Sequence, residues 1–203
     1  MALITDYDTL KASIASYLHR SDLTSMIPEF IIDGEARIYS DLRIRAMEDS
    51  FSGVTTSGSI ALPTSFLEWK WLKATATGKT LEFKDTEWLY TNYPTRSGAG
   101  TPIFYSVEGD NISIAPYPAD DTAIEGRYYK RLDALSDSNT TNWFITYEPA
   151  ILRYAALCEA APYLGQDARI PVWETKYQMV KERIKSTERR QNSHGSQLTM
   201  RAG

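Results

Sequence analysis

Apolar residues in this chain change their spacing twice, and those two changes limit the folds open to it more than any single motif does. Tyr7, Leu10, Ile14, Tyr17 and Leu18 lie on one face of a helix that Asp6 or Asp8 can cap, and His19-Arg20-Ser21-Asp22 ends it. A second helix is expected from about Ser25, with Pro28 in its first turn and Ile27, Ile31, Glu35, Ile38 and Leu42 in register. From Arg43 to Leu132 the period becomes two: Ile60 and Leu62, then Leu67, Trp69 and Trp71, then Leu81 and Phe83. A hairpin follows, with Ile103, Tyr105 and Val107 entering a Glu108-Gly-Asp-Asn111 turn and Ile112 and Ile114 leaving it. Thr122 to Arg131 supplies one more strand. Helical spacing returns in Trp143–Leu164, which Pro162 should shorten or kink, and in Asp167–Arg190, whose stripe is Trp173, Tyr177, Val180 and Ile184.

The fold class implied is α+β and mainly helical. A four-helix core comes from the N- and C-terminal helix pairs, because one pair cannot bury both of its faces, and an antiparallel β-rich region is inserted between them. The expected boundaries are 1–42 and 133–190 for the helical domain, 43–132 for the inserted domain and 191–203 for an extended, flexible C-terminal arm. The arm follows from the stripe's end: beyond Ile184 the same face carries Thr187 and Gln191, and Gly195 breaks the helix. What remains is basic and polar, with Leu198 and Met200 as its apolar anchors.

Charge is divided unevenly. From Lys176 onward seven basic residues stand against two acidic ones, a balance of +5, and since the whole chain carries −4 the rest carries −9. A nucleic-acid binder normally presents a broad basic face. An acidic body with a basic arm favours a protein partner; the competing reading is a small nucleic-acid-binding module that uses the arm to grip phosphates. No apolar run is long enough for a membrane span, the N-terminus lacks the pattern of a secretory signal, and the single Cys158 among alanines reads as a core residue.

No catalytic residue, metal site or cofactor is expected. Gly78-Lys79-Thr80 resembles the end of a phosphate-binding loop, but Lys73 stands where the motif needs glycine, so a hairpin turn is the better reading. His19 and His194 are isolated imidazoles. Among thirteen tyrosines and five tryptophans, Trp88, Tyr90 and Tyr93, with Arg96 in the Gly/Pro/Ser loop that follows, form a candidate subunit or tail interface. Asp85 caps the short helical turn carrying the first two, and the loop from Tyr93 to Pro102 is expected to be mobile and too poor in apolar groups to pack.

Several local strings together resemble the head-to-tail adaptor (connector) proteins of tailed bacteriophages, over nearly the whole length. They are Ile27-Pro28-Glu29-Phe30-Ile31 and Gly34-Glu35-Ala36-Arg37-Ile38-Tyr39; Leu62-Pro63 with Phe66-Leu67-Glu68; the hairpin from Tyr105 to Pro116; and Tyr147 to Leu157 with Ala168-Arg169 and Trp173. The resemblance implies a structural virion protein of the neck, made in the host cytoplasm. Its copies would be monomers in solution and a ring, a dodecamer, on the portal protein, with a tail or nozzle protein beneath. DNA would pass through the channel without specific binding, and no membrane is involved. The portal-binding arm would comprise Arg189, Arg190, Gln191, His194, Leu198, Met200 and Arg201. Extended from Arg189, such an arm reaches about 50 Å at ~3.3 Å per residue.

Overall fold

In the computed structural model, which describes residues 3–165 and 167–193, the first helix starts on a cap written into the sequence. The Thr9 amide donates to Asp6 Oδ1 at 2.8 Å while the Asp6 amide donates to the Thr9 hydroxyl at 3.0 Å, and this reciprocal pair opens α1 (Tyr7–Leu18). His19, in the left-handed region at φ 52°, closes it. A 3-10 turn at Ser21–Met26 precedes α2 (Ile27–Asp41), so the expected start near Ser25 falls in a tighter turn and the α-helix begins just before Pro28.

The single helix expected over Trp143–Leu164 is instead three: α4 (Trp143–Tyr147), α5 (Pro149–Glu159) and α6 (Ala161–Leu164). The residue before a proline is pushed out of the helical region, and Glu148 ahead of Pro149 sits at φ −141°, ψ 53°. Pro162 lies in the first turn of α6, the position a proline tolerates. The last helix, α7 (Ile170–Ser193), starts later than expected and continues past Arg190.

The described residues up to Ala46 and from Leu132 onward form one compact unit, and Met47–Arg131 form another. In the helical unit α1, α2, α4, α6 and α7 all pack on α5. The backbones of α2 and α5 come close at Gly34, where a Cβ would stand 2.8 Å from the Ala156 amide nitrogen. Around it Leu10, Ile14, Phe30, Ile38, Leu152 and Tyr177 are fully or almost fully buried. Beside the crossing Arg37 reaches Glu159 at 3.2 Å and Glu174 at 2.7 Å and lies over the Tyr177 ring, whose hydroxyl donates to Asp41 at 2.8 Å. Burial opposes ionisation of Asp41, but the Tyr177 hydroxyl and the Lys181 ammonium together hold its carboxyl below the usual range. Cys158 is buried among these helices, and desolvation pushes its thiol up to about 12.

Glu35 is the one acid inside this core among the described residues, with 4% of its surface exposed. The Leu135 amide hydrogen-bonds to it and Asn142 Nδ2 donates to Oε1 at 3.2 Å, but desolvation dominates and pushes its pKa up to about 7.

The second unit holds two sheets. One, ordered β1-β7-β3, is antiparallel and made of β1 (Glu48–Val54), β3 (Phe66–Ala74) and β7 (Ala123–Lys130). The other, ordered β2-β6-β5-β4, contains β2 (Ser59–Ala61), β4 (Glu82–Phe83), β5 (Phe104–Glu108) and β6 (Asn111–Ala115). Ile60, Ile112, Ile114 and Tyr105 from the second sheet share a core with Leu72, Ala74 and Ile124 from the first.

The β region differs from expectation in its pairing and in its register. It is not wholly antiparallel: β4 runs parallel to β5, because the chain between them passes through α3 (Thr86–Asn92) and a long loop rather than a hairpin. And Trp71 does not share the buried face of Trp69. The register of β3 shifts between Trp69 and Trp71, and a bulge there changes which parity faces inward, so Leu72 and Ala74 become the core residues.

Two stability predictions follow from the helical unit. Gly34→Val puts a branched Cβ against the Ala156 backbone and should cost about 2 kcal/mol or more in urea unfolding; an unchanged midpoint would show that the α2–α5 crossing can open. Glu35 binds its proton more tightly folded than unfolded, so its contribution is full below about pH 4.5 and declines as pH rises toward 7. Glu35→Gln should therefore leave stability near pH 4.5 little changed and raise it at pH 8 by roughly 1–3 kcal/mol, read from unfolding curves at the two pH values.

Candidate interface surfaces

The aromatic group named from the sequence is assembled in the β unit by α3 and the strand it faces. Asp85 caps α3, accepting from the Trp88 amide at 3.1 Å. The Trp88 ring then lies edge-on to Phe104 of β5 at 5.1 Å, with Tyr93 5.9 Å from Phe104 and 6.3 Å from Trp88. The Lys84 ammonium stands 5.2 Å from the Trp88 ring. Trp88 and Tyr93 are consequently half-buried, much of their ring surface used within the unit.

Arg96, the fourth member of the candidate interface, is anchored within the unit. Its guanidinium lies between the rings of Tyr90 and Tyr117, at 5.4 and 5.3 Å, and donates to the Ile114 carbonyl at 3.0 Å. The loop it belongs to is tied down again where the Gly100 amide donates to the Tyr117 carbonyl at 2.7 Å. The expectation that this loop cannot pack is thus overturned: Tyr93 packs on Phe104 at its start, Pro102 is buried at its end, and Arg96 and the Gly100 amide fasten it between them. Tyr90 stays exposed along its ring while its hydroxyl donates to Glu108 at 2.9 Å. Further outward apolar surface in this unit is supplied by Phe83, Val54 and Ile103, 57%, 50% and 47% exposed.

In the helical unit the residues expected to begin the arm are part of α7. Arg189 is exposed and 3.7 Å from Glu182; Arg190 is exposed; Gln191 accepts from the Arg45 guanidinium, which also lies 3.6 Å from Glu188. His194, Leu198, Met200 and Arg201 lie outside the described residues. Beside this end of α7 a groove of about 240 Å³ is lined by Trp143, Tyr147, Ile184, Thr187, Glu188 and Gln191. Tyr147 is 67% exposed there, and Glu148 pairs with Arg183 at the rim. The sequence signal for this groove is the spacing of Trp143 and Tyr147, four apart at the start of a helix.

Among the described residues no cluster of three or more His, Cys, Asp or Glu side chains is arranged to hold a metal, and no helix is long and apolar enough to cross a membrane. A family model described as SU10 adaptor protein matches residues 5–201, and the chain belongs to that family of phage structural adaptors. No curated protein matches it.

The position of Arg96 makes a specific prediction. Arg96→Ala should destabilise the β unit by about 1–2 kcal/mol and speed hydrogen exchange through β6, whereas Arg189→Ala should stay within about 0.5 kcal/mol of the parent. Equal stability of the two variants would return Arg96 to the set of free contact residues.

Proposed function

We propose that this SU10 adaptor is a head-to-tail connector of a tailed phage: copies dock as a ring on the portal, hold the tail or nozzle protein beneath and continue the DNA channel. The observation that carries the reading is the family match, which extends across the helical unit, the β unit and most of the tail sequence. In this reading the long helices α1, α2, α5 and α7 are the rigid body of the subunit. The end of α7, with Arg189, Arg190 and Gln191, delivers the arm residues His194, Leu198, Met200 and Arg201 to the portal. The candidate contacts Trp88, Tyr90 and Tyr93 serve a neighbouring subunit or the tail.

Two physical arguments support it. One arm binds weakly, because ordering it costs conformational entropy, but a ring of arms on a symmetric portal gains through effective concentration. That is the behaviour of a chain that is monomeric alone and assembled on its dock. The charge split also suits the role: an acidic body repels phosphate, which lets DNA pass without adhering.

The test is to titrate purified portal rings with the full chain and with a chain ending at Ser193, and to count bound copies by native mass spectrometry. The full chain should fill the ring to a fixed stoichiometry, and the shortened chain should need at least about tenfold more protein for the same occupancy. Equal filling by both would remove the arm as docking element; no binding by the full chain would overturn the adaptor reading.

A further inference from the structure

Two outward helix faces of the helical unit match each other in length and carry opposite charge. On α2, Glu29, Ile32, Asp33 and Ala36 recur at helical spacing on the side away from α5, and all are exposed. Ile32 is 57% exposed, although it lies in a helix otherwise well supplied with core positions. Neither Glu29 nor Asp33 has an ion-pair partner among the described residues. Glu29 has a local reason to be acidic, since it sits in the first turn of the helix. Asp33, a turn further on, has none.

On α7, Val172, Lys176 and Met179 form the corresponding outward stripe. Val172 and Met179 are 55% and 60% exposed, and exposed Lys176 between them has no carboxylate partner among the described residues. The neighbouring acid on this side, Glu182, is already engaged by Lys185 at 3.8 Å and Arg189 at 3.7 Å, and Arg183 by Glu148. Lys176 is therefore the cation left for an outside partner at this end of the helix. Each stripe covers seven residues' rise, about 10 Å along its helix.

We infer that the α2 stripe of one copy docks on the α7 stripe of the next, with Ile32 seated between Val172 and Met179 and with Asp33 and Glu29 facing Lys176. The two surfaces are different parts of the same unit, so the contact is head-to-tail, the type that closes into a ring when the rotation permits. The patch is small and its ion pairs are exposed, so it is weak between free monomers and gains strength when a dock holds neighbours side by side. As the inter-subunit contact of the virion ring, the inference rests on the adaptor reading; as a self-contact of the chain, it is tested without it.

The experiment mixes two single variants, Ile32→Cys and Met179→Cys, in otherwise full-length chains, and oxidises them at high concentration without any portal. The native Cys158 is buried, and parent protein treated alike is the control. Disulfide-linked heterodimer should exceed either homodimer by roughly fivefold. Adding Asp33→Lys to the first variant should abolish the excess, and Lys176→Glu added to the second should restore it. Heterodimer at the statistical ratio, or a restored yield that does not depend on the charge swap, overturns the inference. Portal titration of the parent is run in parallel. Ring filling with a statistical crosslink rejects this contact and keeps the adaptor reading; a specific crosslink without portal binding does the reverse.

Discussion

The backbone of α2 touches the backbone of α5 at Gly34, and the helical unit is organised around that contact. Only a residue without Cβ lets the two helices approach this closely, and the approach is what brings Phe30 and Ile38 into the same dry interior as Leu152 and Ala155. Those residues are separated by the whole β unit in sequence. Crossing and interior together fix where the charged groups can lie. Arg37, three residues from Gly34 on the neighbouring face, reaches both Glu159 of α5 and Glu174 of α7, so one guanidinium ties the three helices at the edge of the core. It is partly solvated, which limits the desolvation cost that a fully buried triad would incur. The outward faces of α2 and α7 are what this arrangement leaves uncovered.

The β unit solves its packing by other means. Beside its aliphatic core of Ile60, Leu72, Ile112, Ile114 and Ile124, rings pack on one another: Phe51, Phe66, Trp69 and Tyr128 form a chain of edge and tilted contacts across the first sheet. Trp88, Tyr93 and Phe104 do the same beside α3. A unit rich in aromatic residues thus spends many of them internally. That is why an aromatic count overstates the interface area available to partners.

The periodicity of the sequence located α1, α2 and α7 because each has one continuous stripe meeting one core. It failed where backbone chemistry overrides the pattern. Pro149 divides a helix whose apolar spacing is unbroken, because a proline disfavours the helical region for the residue ahead of it, here Glu148. The bulge in β3 inverts a clean alternation of three large residues, and nothing in their order announces it. Strand β1 was not anticipated at all: with Ser50, Ser52 and Gly53 interrupting Phe51 and Val54 it is legible only through its pairing with β7. The order of the loop around Arg96 is not legible in its composition, because a cation beside two rings supplies much of its anchoring. Ile32 and Met179 are illegible for the opposite reason, since they are apolar residues that fall outside the core stripes of their helices.

Family membership makes the chain a phage structural adaptor, and the features on which the proposed ring rests are the outward stripes of α2 and α7 and a basic C-terminal segment on an acidic chain. The most direct test is a cryo-EM reconstruction of the virion neck, or of portal rings saturated with this protein. The expected result is a closed ring of copies beneath the portal in which α2 of each subunit faces α7 of its neighbour and the residues after Ser193 contact the portal. A neck without this chain, or copies joined through other surfaces with the C-terminal residues directed away from the portal, would contradict it.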